Sequence, residues 1–105
     1  MKGKVDGKWY NTKTSKLIAT YDSGLPRNDL DYIREGLYRA ADGTLFFAGE
    51  SGARMRYARN EETGGKIGGE GIQVTTRTDA VEWIESTQGS NTSNAMLLLD
   101  GFAII

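Results

Sequence analysis

The sequence predicts an α+β domain: a small antiparallel sheet, one amphipathic helix at about 77–87 packed on it, and a C-terminal apolar hairpin at 95–105. Three observations carry this. Residues 30–49, LDYIREGLYRAADGTLFFAG, place two clusters of strand formers on either side of Asp42-Gly43, a pair that favours a tight hairpin turn. Ala80, Trp83, Ile84 and Thr87 recur at helical spacing. The chain has 14 glycines and 1 proline, which suits strands and turns better than a helical bundle. A length of 105 residues favours one domain, spanning 1–105.

The elements follow in order. Asp6-Gly7 in GKVDGKWYN marks a first short hairpin, with Trp9 as its large anchor. In TKTSKLIATY, the threonines, Ile18 and Tyr21 favour a strand, while Leu17, Ile18 and Tyr21 also fit a helix; the strand is preferred. Asp22-Ser23-Gly24 and Pro26 break the chain. The hairpin at 30–49 carries apolar residues on both faces, as a central hairpin does when one side faces the core and the other is partly covered. Residues 60–71 hold the glycine-rich TGGKIGGEG and read as a mobile loop. Ile72 and Val74 of IQVT are expected to point inward from a short strand.

Thr76 can cap the next helix by accepting from a free backbone N–H, and Asp79 suits the positive end of the helix dipole. Gln88 to Asn94 is polar and reads as a linker. AMLLLDGFAII then reads as two strands around Asp100-Gly101, with a helix over 94–99 as the competing assignment. Such an apolar hairpin either packs on the chain's own core or is buried against another chain. Leu97, Leu99, Phe102 and Ile104 are the residues expected to form a homodimer interface in the second case.

Composition limits the chemistry. The chain has no histidine and no cysteine, so the usual general base, the commonest metal ligand and every thiol mechanism are missing. No cofactor and no metal site are expected, and no enzyme activity. The net charge of −1 creates no global field for nucleic acid. The charge is uneven, however: Lys2, Lys4, Lys8, Lys13 and Lys16 make the start basic. MKGKVDGKWY lacks the apolar core of a signal peptide, and the C-terminal apolar run is too short to span a bilayer. A cytoplasmic protein without membrane association is expected.

Familiar motifs fail in detail. The glycine stretch is no phosphate loop, because Ile67 follows Lys66 where Ser or Thr is needed. Gly49-Glu50-Ser51-Gly52 is no nucleophile elbow, because Ala53 stands where the last glycine belongs. Glu35, Glu50, Glu61, Glu62 and Glu70 could supply an acid pair only if the fold brought two of them into one shaped environment. Arg54, Arg56 and Arg59, with Tyr57 between them and Lys66 beyond, could form an anion-binding strip, with Tyr57 as a stacking surface for nucleic acid. The competing assignment is a strand or loop whose arginines pair with Glu50, Glu61 and Glu62.

One pattern runs through several segments: Glu35, Leu37-Tyr38-Arg39, Gly43, Phe47, Gly49-Glu50, Gly52, Tyr57-Ala58, Gly68-Gly69-Glu70, Ile72, Thr76, Asp79-Ala80, Glu82 and Trp83, with Tyr10-Asn11-Thr12-x-Thr14 before it. Over about residues 9–86 the chain resembles a family of small bacterial proteins of no established function, often carried on phages, plasmids and other mobile DNA. The resemblance implies a compact α+β domain and supplies no activity. Ser51 stands where that family usually has glycine, and Arg77-Thr78 where it often has a glutamate-rich helix start. The resulting expectation is a non-enzymatic interaction protein with a protein partner. Its candidate binding residues are Glu50, Arg54, Arg56, Tyr57, Arg59 and Lys66; nucleic-acid or phosphate binding by the arginines is the alternative, and an acid-pair enzyme the remotest.

Overall fold

The computed structural model describes residues 1–101. It is an α+β fold. Four strands form the main antiparallel sheet: β3 (Lys16–Asp22), β4 (Ile33–Arg39), β5 (Leu45–Ser51) and β8 (Gly69–Thr75), in the order β3-β4-β5-β8. Two small hairpins flank it. One joins β1 (Lys2–Val5) to β2 (Lys8–Asn11), and the other joins β6 (Arg59–Asn60) to β7 (Lys66–Ile67). Helices α1 (Arg77–Thr87) and α2 (Thr92–Leu99) follow the last strand.

The β4–β5 hairpin is the centre of the sheet, as the apolar residues on both faces of 30–49 imply. Leu37 faces Phe47 and Tyr38 faces Phe46 across the pair. The inner face packs on the helices. Ile33, Leu37, Leu45 and Phe47 there meet Ala80, Trp83 and Ile84 of α1 and Ala95 and Leu99 of α2. Trp83 meets the Phe47 ring edge-on, with centroids 5.2 Å apart. The outer face is covered in part by the β1–β2 hairpin, where Tyr10 packs on Phe46 at 5.2 Å and Tyr38 stacks on the same ring at 5.4 Å.

Helix α1 has the bounds its spacing implies, and Thr76 Oγ1 caps it by accepting from the Asp79 N–H at 3.2 Å. Its apolar stripe at 80, 83 and 84 is the buried one.

Five expectations are corrected. Trp9 is not an anchor: it is 59% exposed, and Tyr10 is the buried residue. Asp6 and Gly7, both at positive φ, make the mirror-image turn that sets the hairpin register, and period two then turns residue 10 inward and residue 9 outward. Ile72 is half-buried under this hairpin, but Val74 is exposed.

Residues 60–71 are not loop throughout. They contain the β6–β7 turn, closed by the Glu61 N–H on the Gly65 carbonyl at 2.8 Å, strand β7 and the start of β8. The polar run 88–94 is not a linker either, since a 3₁₀ turn at Gly89–Asn91 leads directly into α2.

The fifth correction concerns the C-terminus. Residues 95–99 are helical, not a strand. Ala, Met and Leu are strong helix formers without branching at Cβ, and Ala95 and Leu99 bury at i and i+4. Asp100-Gly101 caps this helix: Gly101 takes φ 87° and its N–H reaches the Leu98 carbonyl at 3.0 Å. Leu99 is buried in the chain's own core and is not available to a dimer interface, while Leu97 is 46% exposed. Phe102 and Ile104 lie outside the described residues. No helix among the described residues is long and apolar enough to cross a membrane.

Candidate functional site

Glu35 organises the inner face. It sits on β4 opposite Gly49, with its side chain 3% exposed. A carboxylate this deep is costly unless its oxygens are hydrogen-bonded. Three donors meet it. Arg56 Nε and Tyr57 Oη both donate to Oε1 at 2.9 Å, and Trp83 Nε1 donates to Oε2 at 3.0 Å. The Arg56 guanidinium also lies 4.2 Å from the Phe47 ring centroid. Burial, and then the negative Glu35, push the Tyr57 phenol far above its ordinary range.

The knot therefore pins the loop between β5 and β6 to the sheet and to α1. Ser51, at the end of β5, belongs to the same support: its buried hydroxyl accepts from the Tyr57 N–H at 2.9 Å and donates to the Gly52 carbonyl at 3.1 Å. No proton acceptor other than that carbonyl engages it among the described residues, so it is a loop clasp.

These contacts take apart the expected arginine strip. Arg54 forms a two-pronged pair with Asp31, at 2.9 Å for each bond. Arg56 is committed to Glu35, and Tyr57 is buried and cannot stack on a ligand. Residues 53–57 form a series of turns, while Arg59 lies on β6. The acids that hold Arg54 and Arg56 are Asp31 and Glu35, from before the β4–β5 turn, and not Glu50, Glu61 or Glu62.

Two of the candidate residues do come together. Glu50 and Arg59 line a cleft of about 330 Å³ with Arg27 and Glu70, over a floor that includes Gly68 and Gly69. Glu50 lies on the outer face of β5 and accepts from Arg27 Nη2 at 2.9 Å and from Tyr32 Oη at 2.8 Å. That hydrogen bond raises the Tyr32 phenol above its ordinary value. Glu70 of β8 stands directly opposite Glu50. Like charges in this position repel. Among the described residues, neither Glu70 nor Arg59 has an ion-pair partner. Lys66 is exposed on β7, outside the cleft lining.

The glycines at 68 and 69 now have a physical reason. A Cβ on Gly68 would lie 2.7 Å from the Ser51 carbonyl oxygen, and one on Gly69 would lie 2.5 Å from that of Tyr57. The start of β8 passes too close to the knotted loop for any side chain. Arg27, Tyr32 and Asp31 carried no signal in the sequence, since their roles depend on the 23–32 segment folding back over the end of β5. The cleft can take a carboxylate at Arg59 and an ammonium or guanidinium at Glu70. No group of three or more acids among the described residues is arranged to hold a metal ion. Compared with protein-family models, curated proteins and solved structures, the chain matches none.

Proposed function

We propose that this chain is a non-enzymatic binding protein whose partner is another protein, gripped at the Arg27–Glu50–Arg59–Glu70 cleft. The observation that carries this reading is that two charged side chains there, Arg59 and Glu70, make no ion pair among the described residues. Glu70 faces Glu50 across the strand pair, with Arg59 beside them. A partner with a basic and an acidic side chain at matching spacing relieves both, and rim charges of this kind set specificity and encounter rate. The mobile-DNA resemblance supports an accessory product that acts on a host or element protein.

The test is crosslinked capture from the source cell, followed by mass spectrometry, with the wild-type chain and with Arg59→Glu/Glu70→Arg. One or a few proteins held by the wild type and lost by the charge-reversed chain are expected. A protein set unchanged by the reversal overturns the reading. So does robust turnover of a small substrate that Glu70→Gln abolishes, because Glu50 and Glu70 would then be an acid pair.

A further inference from the structure

The cleft leaves the basic start of the chain without a role. In the β1–β2 hairpin, Lys4 pairs across the strands with Trp9, and Lys2 with Asn11. These four side chains share the face turned away from Tyr10 and Val5, which pack on the sheet. Lys2 Nζ lies 5.0 Å and Lys4 Nζ 5.9 Å from the Trp9 ring centroid. The indole is 59% exposed, and it also lines a cleft of about 270 Å³ together with Ala40, Ala41 and the Lys8–Asp42 ion pair. A large exposed aromatic ring with two ammonium groups over it, neither in an ion pair among the described residues, is not required by the core, which is complete beneath Tyr10.

We infer that Trp9, Lys2 and Lys4 form a binding platform for single-stranded nucleic acid, with a base stacked on the indole and neighbouring phosphates held by the two lysines. Charge complementarity selects an anionic occupant. The flat ring selects a nucleotide over an acidic peptide, because Asp and Glu side chains offer nothing to stack and would leave the indole in water. The two lysines are about 7 Å apart along β1, a separation that lets each take a different phosphate. Stacking is tolerant of base identity, so little sequence preference is expected. This platform sits by the β4–β5 turn, whereas the proposed protein cleft lies at the far end of β5, so each can fail without the other.

The probe is oligothymidylate of ~12 nucleotides, end-labelled for anisotropy and unlabelled for tryptophan quenching. Trp83 is buried, so quenching of the exposed fraction of the emission reports on Trp9. Binding is expected to weaken about sevenfold between ~50 and ~200 mM salt, the dependence for two phosphate contacts. Trp9→Ala should weaken anisotropy-detected affinity about tenfold, with Trp9→Phe recovering most of it, and Lys2→Glu/Lys4→Glu should lose more. Lys66→Glu, on the distant hairpin, should change little. All these positions are solvent-facing, and a retained near-ultraviolet signal from Trp83 certifies the fold. Absence of binding at low salt overturns the inference, as does affinity indifferent to Trp9→Ala. Polyglutamate competing on equal terms assigns the face to an acidic protein and also overturns it.

Discussion

Trp83 Nε1 donates to Glu35 Oε2 at 3.0 Å, joining helix α1 to strand β4 across 48 positions of sequence. Both residues are buried, and the contact ties the helix layer to the sheet beside the Phe47–Trp83 ring pair. Around it, Arg56 and Tyr57 complete the coordination of the carboxylate.

Removing the acceptor leaves three donors unmet at once. Glu35→Ala is expected to cost about 3–5 kcal/mol, since breaking a buried pair strands the partner charge. Trp83→Ala should cost a similar ~3–5 kcal/mol through lost packing. Trp83→Phe keeps an aromatic ring against Phe47 and loses the N–H with part of the indole's volume, so a smaller cost of about 1.5–3 kcal/mol is expected. Urea unfolding of the three variants checks the order. A Trp83→Phe variant as unstable as Trp83→Ala would show that the hydrogen bond, not the packing, dominates.

Alkaline stability should report on Tyr57. Its phenol is held protonated in the folded chain well above its ordinary value of about 10, while the unfolded chain releases the proton near that value. Above about pH 10 the folded state thus binds more protons than the unfolded state, and stability falls as pH rises. Tyr32 acts in the same direction. Tyr57→Phe should reduce the steepness of the decline by about 1.4 kcal/mol per pH unit. Thermal melts from neutral to strongly alkaline pH measure this, and unchanged steepness would reject the account.

At the cleft floor, Gly69→Ala forces a methyl to 2.5 Å from the Tyr57 carbonyl and 2.9 Å from Arg59 Cγ. A loss of about 1–3 kcal/mol is expected, the range for overpacking. The backbone shift should also displace Arg59, so capture of any partner at the cleft should weaken beyond what the stability loss explains. Denaturant titration beside the capture assay separates the two effects.

Gly101→Ala tests the cap of α2. The residue sits at φ 87°, and a Cβ there meets the Arg39 guanidinium at 3.0 Å. About 1–2 kcal/mol should be lost. The Arg77–Asp100 pair next to it, at 3.1 Å for each bond, is largely exposed and should contribute less than about 1 kcal/mol when Arg77→Ala removes it. A larger effect of Arg77→Ala than of Gly101→Ala would mean that the ion pair, not the cap, holds the end of the helix.

Local signals determined a good part of this protein from the sequence by itself. Asp42-Gly43 between two aromatic clusters specifies the central hairpin, and Thr76 with the 80–83–84 spacing specifies α1, because turn geometry and helix capping involve residues only a few positions apart. Even so, the same dipeptide served two ends. Asp-Gly closes hairpins at 6–7 and 42–43 but ends a helix at 100–101, since a left-handed glycine suits both and the helix-forming AMLLL before it tips the outcome. Only the tertiary structure decided which tryptophan is buried, which arginines are occupied and which acids face each other. Glu35 meets donors from positions 56, 57 and 83, and Glu50 meets Arg27, Tyr32 and Glu70; strand register and the fold of distant loops set those meetings, and neither is written in any short stretch of residues.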